Sequence, residues 1–121
     1  MNLIDARLDG ATFSIGNQSM PLGAHLEGRL SAHPAEAVVG MRPQHLSLAA
    51  DGPAAFTAKL ANAEFMGHEV YLHADLEGHR VVSVVGAADF EALGRSETIR
   101  LRPDLERLHI FDKTDGRNVS L

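Results

Sequence analysis

Short apolar runs, alternating in polarity and broken at intervals by glycine, confine this chain to short strands joined by tight turns. Ala11-Thr12-Phe13-Ser14-Ile15 alternates strictly, which puts Phe13 and Ile15 on one face. It lies between Asp9-Gly10 and Gly16-Asn17, dipeptides whose glycine accepts the positive φ of a hairpin turn. Val70-Tyr71-Leu72-His73-Ala74-Asp75-Leu76 alternates in the same way. Glu77-Gly78 then turns it into Arg80-Val81-Val82-Ser83-Val84-Val85, a β-branched run of the kind sheets favour.

The remaining segments fit between these. Residues 3–8 are extended and mixed in polarity, and Met20-Pro21-Leu22 follows the second turn. Residues 23–29 read as a loop with one helical turn, and residues 31–36, small and polar, as a surface loop. Ala37-Val38-Val39-Gly40-Met41 is a buried strand stopped by Pro43, with His45-Leu46-Ser47-Leu48 continuing the same edge. Asp51-Gly52-Pro53 is a strong break dividing two β-rich halves that share no sequence repeat. Beyond it, residues 55–64 form a strand with Phe56, Ala58, Leu60 and Asn62 on one face, interrupted at Gly67. Residues 89–93 are the best helix candidate, ended by Gly94. Residues 96–101 are a strand, and Arg102-Pro103-Asp104 leads into the closing strand at Leu108. Some ten short strands with at most one or two short helices predict an all-β small barrel or pair of barrels.

Composition narrows the function. With 121 residues, 45% of them hydrophobic and 22% charged, the chain can bury a core of its own. Five Phe, one Tyr and no Trp leave that core to Leu, Val, Ala and Ile. A net charge of −5 opposes a nucleic-acid binder, which needs a basic face with exposed aromatics. Without cysteine, disulfides, thiolate zinc sites and cysteine nucleophiles are excluded. His73 and Asp75 share a strand face near His68, Glu69 and His79, but no compact ligand spacing is present and no metal is expected. Ser14, Ser31, Ser47 and Ser83 lack a nucleophile elbow, and Asp5 and Asp9 fall at the outer positions of a hairpin, so no catalytic residue is assigned.

The chain closes on Leu108-His109-Ile110-Phe111-Asp112-Lys113-Thr114-Asp115-Gly116, a strand entering a turn. This stretch resembles the end of the MalK-type ATP-binding subunits of sugar-importing ABC transporters, where a strand ending in Phe-Asp is followed two residues on by Thr-Gly. Asp115 stands here where that family usually has Thr. Met1-Asn2-Leu3 resembles the family's exit from the ATPase domain. Val39-Gly40-Met41-Arg42-Pro43-Gln44-His45 is similar to its Gly-Ile-Arg-Pro-Glu-His segment, with Gln44 replacing the usual Glu. Glu64-Phe65-Met66-Gly67 is similar to its Glu-x-Leu-Gly, and Leu60-Ala61-Asn62-Ala63 leads into it. Order and spacing agree over the whole chain.

The resemblance implies an OB-like (TOBE/MOP-like) regulatory and dimerisation domain over residues 1–121, readable as two intertwined halves split near 51–53. It implies as partners a second copy, the chain's own ATPase domain, membrane permease subunits reached through that domain, and a regulatory protein. The assembly would be cytoplasmic, at the inner face of the membrane, importing sugars or related solutes. No phosphate-binding loop is present, so no ATP hydrolysis is expected from this piece; ATP and Mg²⁺ would belong to the ATPase domain, and no cofactor to this one. A start at Met1-Asn2-Leu3 fits an excised domain. The contact residues singled out are Arg42, Gln44, Glu64, Gly67 and Asp112, with Phe111 expected in the core. Arg42, held extended before Pro43, is expected to pair Glu64 across the sheet, either as a barrel-closing salt bridge or facing the ATPase domain or the other protomer. The rival is a free-standing oxyanion-binding module of the molybdate type. Its Ser-Ala-Arg-Asn segment is matched only by Leu60-Ala61-Asn62-Ala63, without the serine or arginine.

Overall fold

Ten strands run through the described residues of the computed structural model, which are 1–49, 55–94 and 96–121. They are β1 (Asn2–Asp9), β2 (Thr12–Ile15), β3 (Gln18–Pro21), β4 (Glu36–Met41), β5 (Leu46–Leu48), β6 (Phe56–Met66), β7 (Glu69–Leu76), β8 (His79–Gly86), β9 (Thr98–Pro103) and β10 (His109–Asp112). Two short helices join them, α1 (Ala24–Arg29) and α2 (Ala87–Leu93), with 3-10 turns at Pro43–His45 and Leu105–Arg107. The all-β expectation holds. The break at Asp51-Gly52-Pro53 lies outside the described residues.

The chain divides into two units, Met1–Met41 with Asp104–Leu121, and Arg42–Pro103. In the first, a five-stranded antiparallel sheet has the order β10-β4-β1-β2-β3. The alternation of β1 sends Asn2, Ile4, Ala6 and Leu8 inward and Leu3, Asp5, Arg7 and Asp9 outward. Ile4, Phe13, Ile15, Leu22, Leu26, Val39, Leu108, Ile110 and Val119 are completely buried in this unit. Each large side chain so buried stabilises the fold by about 1.5–3 kcal/mol before ordering entropy is charged.

Arg29, at the end of α1, ties the unit's distant segments together. Its guanidinium donates to the carbonyls of Ser120 (2.9 Å), Leu105 (3.3 Å) and Leu108 (3.2 Å). A planar fork with several fixed donors suits three carbonyls converging from different segments.

In the second unit, the sheet order is β5-β9-β6-β7-β8, again antiparallel throughout. Its two edge strands come together, because buried Ser83 on β8 donates its hydroxyl proton to the Leu46 carbonyl on β5. The sheet is thereby a nearly closed barrel, packed inside with Phe56, Val70, Leu72, Leu76, Val81, Ile99 and Leu101. α2 starts two residues before the expected 89–93 and ends, as expected, at Gly94, whose φ is +74°.

Two expectations need correction. Residues 45–48 do not continue the edge of β4. Pro43 opens a 3-10 turn, and Leu46–Leu48 pairs with β9 in the other sheet. A proline has no amide for a ladder and its fixed φ suits the first position of a helical turn. On β6 the register shifts between Leu60 and Asn62, a bulge that places Asn62 opposite His73 and Ala63 opposite buried Leu72. Asn62 is therefore outward, and Ala63 takes the place on the inner face.

Candidate interaction surface

The motif residues fall on three turns. Arg42 precedes the Pro43–His45 turn in an extended conformation, φ −76° and ψ 148°, and its carbonyl accepts from the His45 amide at 2.9 Å. The side chains of Arg42 and Gln44 are both exposed on this turn. Glu64 and Gly67 lie on the β6–β7 hairpin, where Met66 pairs Glu69 and leaves a two-residue loop of Gly67 and His68. Gly67 has φ +77°, the value a II′-type hairpin needs at its first loop position.

The expected Arg42–Glu64 pair is not formed among the described residues. Glu64 Oε1 meets His73 Nε2 at 2.5 Å instead, on the outer face of the hairpin. Glu64 sits opposite Tyr71 and His73 opposite Asn62, so the two are diagonal neighbours, within reach for long side chains. Their side chains are 53% and 25% exposed, which places the pair among surface interactions of small energetic weight. Asp75, also outward on β7, is occupied separately: its Oδ1 accepts from the Gly78 amide at 2.8 Å. Among the described residues no three His, Asp or Glu side chains are grouped to hold a metal ion.

Asp112 belongs to the first unit and shapes the closing turn. Its Oδ1 accepts from the Thr114 amide (2.8 Å), its carbonyl from Gly116 (2.7 Å), and its amide donates to the Arg117 carbonyl (2.8 Å). Asp115 repeats the device, accepting from the Arg117 amide at 2.9 Å. The Phe-Asp motif is thus a strand end sealed by its own side chain. Phe111 is not in the core, contrary to expectation. Leu108 and Ile110 are buried, so the period of two turns His109 and Phe111 to the outer face, where Phe111 is half-buried.

That outer face is the feature the sequence reading missed. Across β1, β4 and β10 it carries Met1 and Leu3, 58% and 60% exposed, together with half-buried Val38 and Phe111. Gly40 lies beneath them: a Cβ there would stand 2.9 Å from Met1 Sδ, 2.9 Å from Phe111 Cε2 and 3.3 Å from Leu3 Cδ2. The second unit has its own exposed apolar tip. Phe65 and Met66 are 66% and 58% exposed, and the Phe65 ring meets Phe90 edge-on at 5.4 Å. A cleft of about 370 Å³ in the same unit is lined by Leu48, Ala49, Asp89, Ala92, Leu93, Thr98 and Arg100. No Leu60-Ala61-Asn62-Ala63 residue lines it; that string is spent on the β6 bulge.

Comparisons with known proteins give the family and the fold. The family model described as TOBE domain matches residues 39–111. The sn-glycerol-3-phosphate import ATP-binding protein UgpC of Paracoccus denitrificans is 30% identical over 111 residues, covering 92% of this chain and 30% of that protein. The trehalose import ATP-binding protein SugC of Mycobacterium tuberculosis is 27% identical over 152 residues, covering 100% of this chain and 38% of its own length. The chain thus spans about a third of the length of the curated relatives it matches. Among solved structures, the molybdate-bound cytoplasmic molybdate-binding protein ModG superposes with a TM-score of 0.61 at 13% identity, covering 90% of this chain and 94% of that one. This likeness shows the fold alone.

Proposed function

The chain belongs to the TOBE domain family, and from that membership we propose that it is the C-terminal regulatory and dimerisation domain of an ABC importer's ATP-binding subunit. The observation that carries this reading is the coverage: import ATP-binding proteins match nearly all of this chain with about a third of their own length. The relatives' names point to phosphorylated polyols or sugars as the solute class.

In this role the domain does no chemistry. Its rigid barrel and sheet hold two subunits together while their ATPase parts open and close, with permease subunits reached through those parts. The exposed Arg42 and Gln44 turn and the Glu64–Gly67 hairpin offer contact points to the ATPase domain, the second copy or a regulator. A regulator bound there acts only through its differential affinity for the resting and active arrangements. The assembly sits on the cytoplasmic side of the membrane; among the described residues no helix is long and apolar enough to cross one.

The test is the mass of the native polypeptide in source-cell lysate, detected with an antibody against this chain. A band larger by one or two domains, about 100–200 residues each, is expected. A band at the mass of 121 residues overturns the reading. Thermal stabilisation by molybdate would then favour an oxyanion-binding module.

A further inference from the structure

An antiparallel sheet with one face on a core usually turns polar residues outward. The sheet of the first unit obeys this over most of its outer face, where Asp5, Arg7 and Glu36 are exposed and Asp5 pairs Lys113 at 3.4 Å. It breaks the rule at one end. There Met1, Leu3 and Phe111 converge on Gly40, a strand glycine whose missing Cβ leaves the hollow they fill. Scattered exposed apolar residues are ordinary, but three side chains, two at the start of β1 and one from β10, packed onto the bare backbone of β4 form an ordered, uncapped cluster.

We infer that this cluster is the docking surface for the upstream, ATP-binding part of the same subunit. The inference rests on the proposed function and names the surface involved. Relatives match this chain with their C-terminal region, so some two-thirds of each relative lies outside the match. A polypeptide arranged in that way enters β1 through Met1, and Met1 is itself a member of the cluster. A domain tethered at the patch reaches it at roughly millimolar effective concentration without any linker to span. A second copy has no such tether and meets the face only at its bulk concentration, which is why the upstream part is the occupant.

Hydroxyl-radical footprinting of the full-length native subunit beside the 121-residue chain tests this. Leu121, 88% exposed and outside every proposed contact, serves as the labelling standard in both samples. The expected result is labelling of Leu3 and Phe111 slowed several-fold in the full-length subunit, and restored at Phe111 by Leu3→Glu in that subunit. Equal labelling in the two samples overturns the docking surface and leaves the proposed function standing. Protection already present in the 121-residue chain and lost on dilution assigns the face to a second copy, and overturns it too. A native polypeptide no longer than this chain removes the proposed function and this inference together.

Discussion

The edge of the Phe111 ring lies 2.9 Å from the position a Cβ would occupy on Gly40 of the neighbouring strand. The contact is too close for any side chain at that position unless the ring moves. Gly40→Val should therefore lower stability by about 1–3 kcal/mol through overpacking, despite the entropy that glycine removal recovers. Phe111→Ala, on a half-buried ring, should lower it by about 1–2 kcal/mol, less than a core phenylalanine would. The double variant should be more stable than the sum of the two, because removing the ring makes room for the valine. Urea midpoints of the four proteins check this, and strict additivity would mean the ring and Gly40 are not coupled.

Ser83 fixes the seam of the barrel in the second unit. Its side chain is fully buried, and the Leu46 carbonyl it reaches belongs to the opposite edge strand. Ser83→Ala strands that carbonyl without its donor and should cost about 1–3 kcal/mol. Ser83→Thr keeps the hydroxyl and should retain most of the stability. Amide exchange of β5 separates this from a uniform loss, since β5 should open first when the seam is cut.

The hairpins were legible because each carries its glycine at the point where φ turns positive, as Glu77-Gly78 does with φ of 49° and 85°. Phe111 was also legible in principle: with Leu108 and Ile110 inside, period two excludes their odd-numbered neighbours from the core. The β6 bulge was not legible, because a register shift is a property of two paired strands and Leu60-Ala61-Asn62 carries no glycine or proline to mark it. The partner of Glu64 was equally hidden. His73 is nine residues away, and only the pairing of β6 with β7 makes it a diagonal neighbour.

Gly67 tests how much of the Glu-x-x-Gly motif is turn geometry. Nothing lies within 4 Å of a Cβ placed there, so φ of +77° is the sole obstacle to substitution. Gly67→Ala should cost about 1–2 kcal/mol, and Gly67→Asn less, because asparagine tolerates this region better. Both variants should keep the Glu64–His73 pair, since the strands flanking the loop hold it. Thermal melts rank the two; equal and negligible losses would show that the loop adopts another turn.

Arg29 offers the sharpest separation of charge from shape. The three carbonyls it binds belong to Leu105, Leu108 and Ser120, far along the chain and invisible as a group in the sequence. Its guanidinium lies part-buried, and charge-assisted bonds of this kind contribute about 1.5–3 kcal/mol each before non-additivity. Arg29→Met, matched in length but without donors, should lower stability by about 2–4 kcal/mol. Arg29→Lys should recover little of that, because a single ammonium cannot serve acceptors spread across a planar fork. Denaturant unfolding of the three proteins decides the matter. Full rescue by lysine would mean that positive charge near these carbonyls, rather than the geometry of the fork, holds the C-terminal segment against α1.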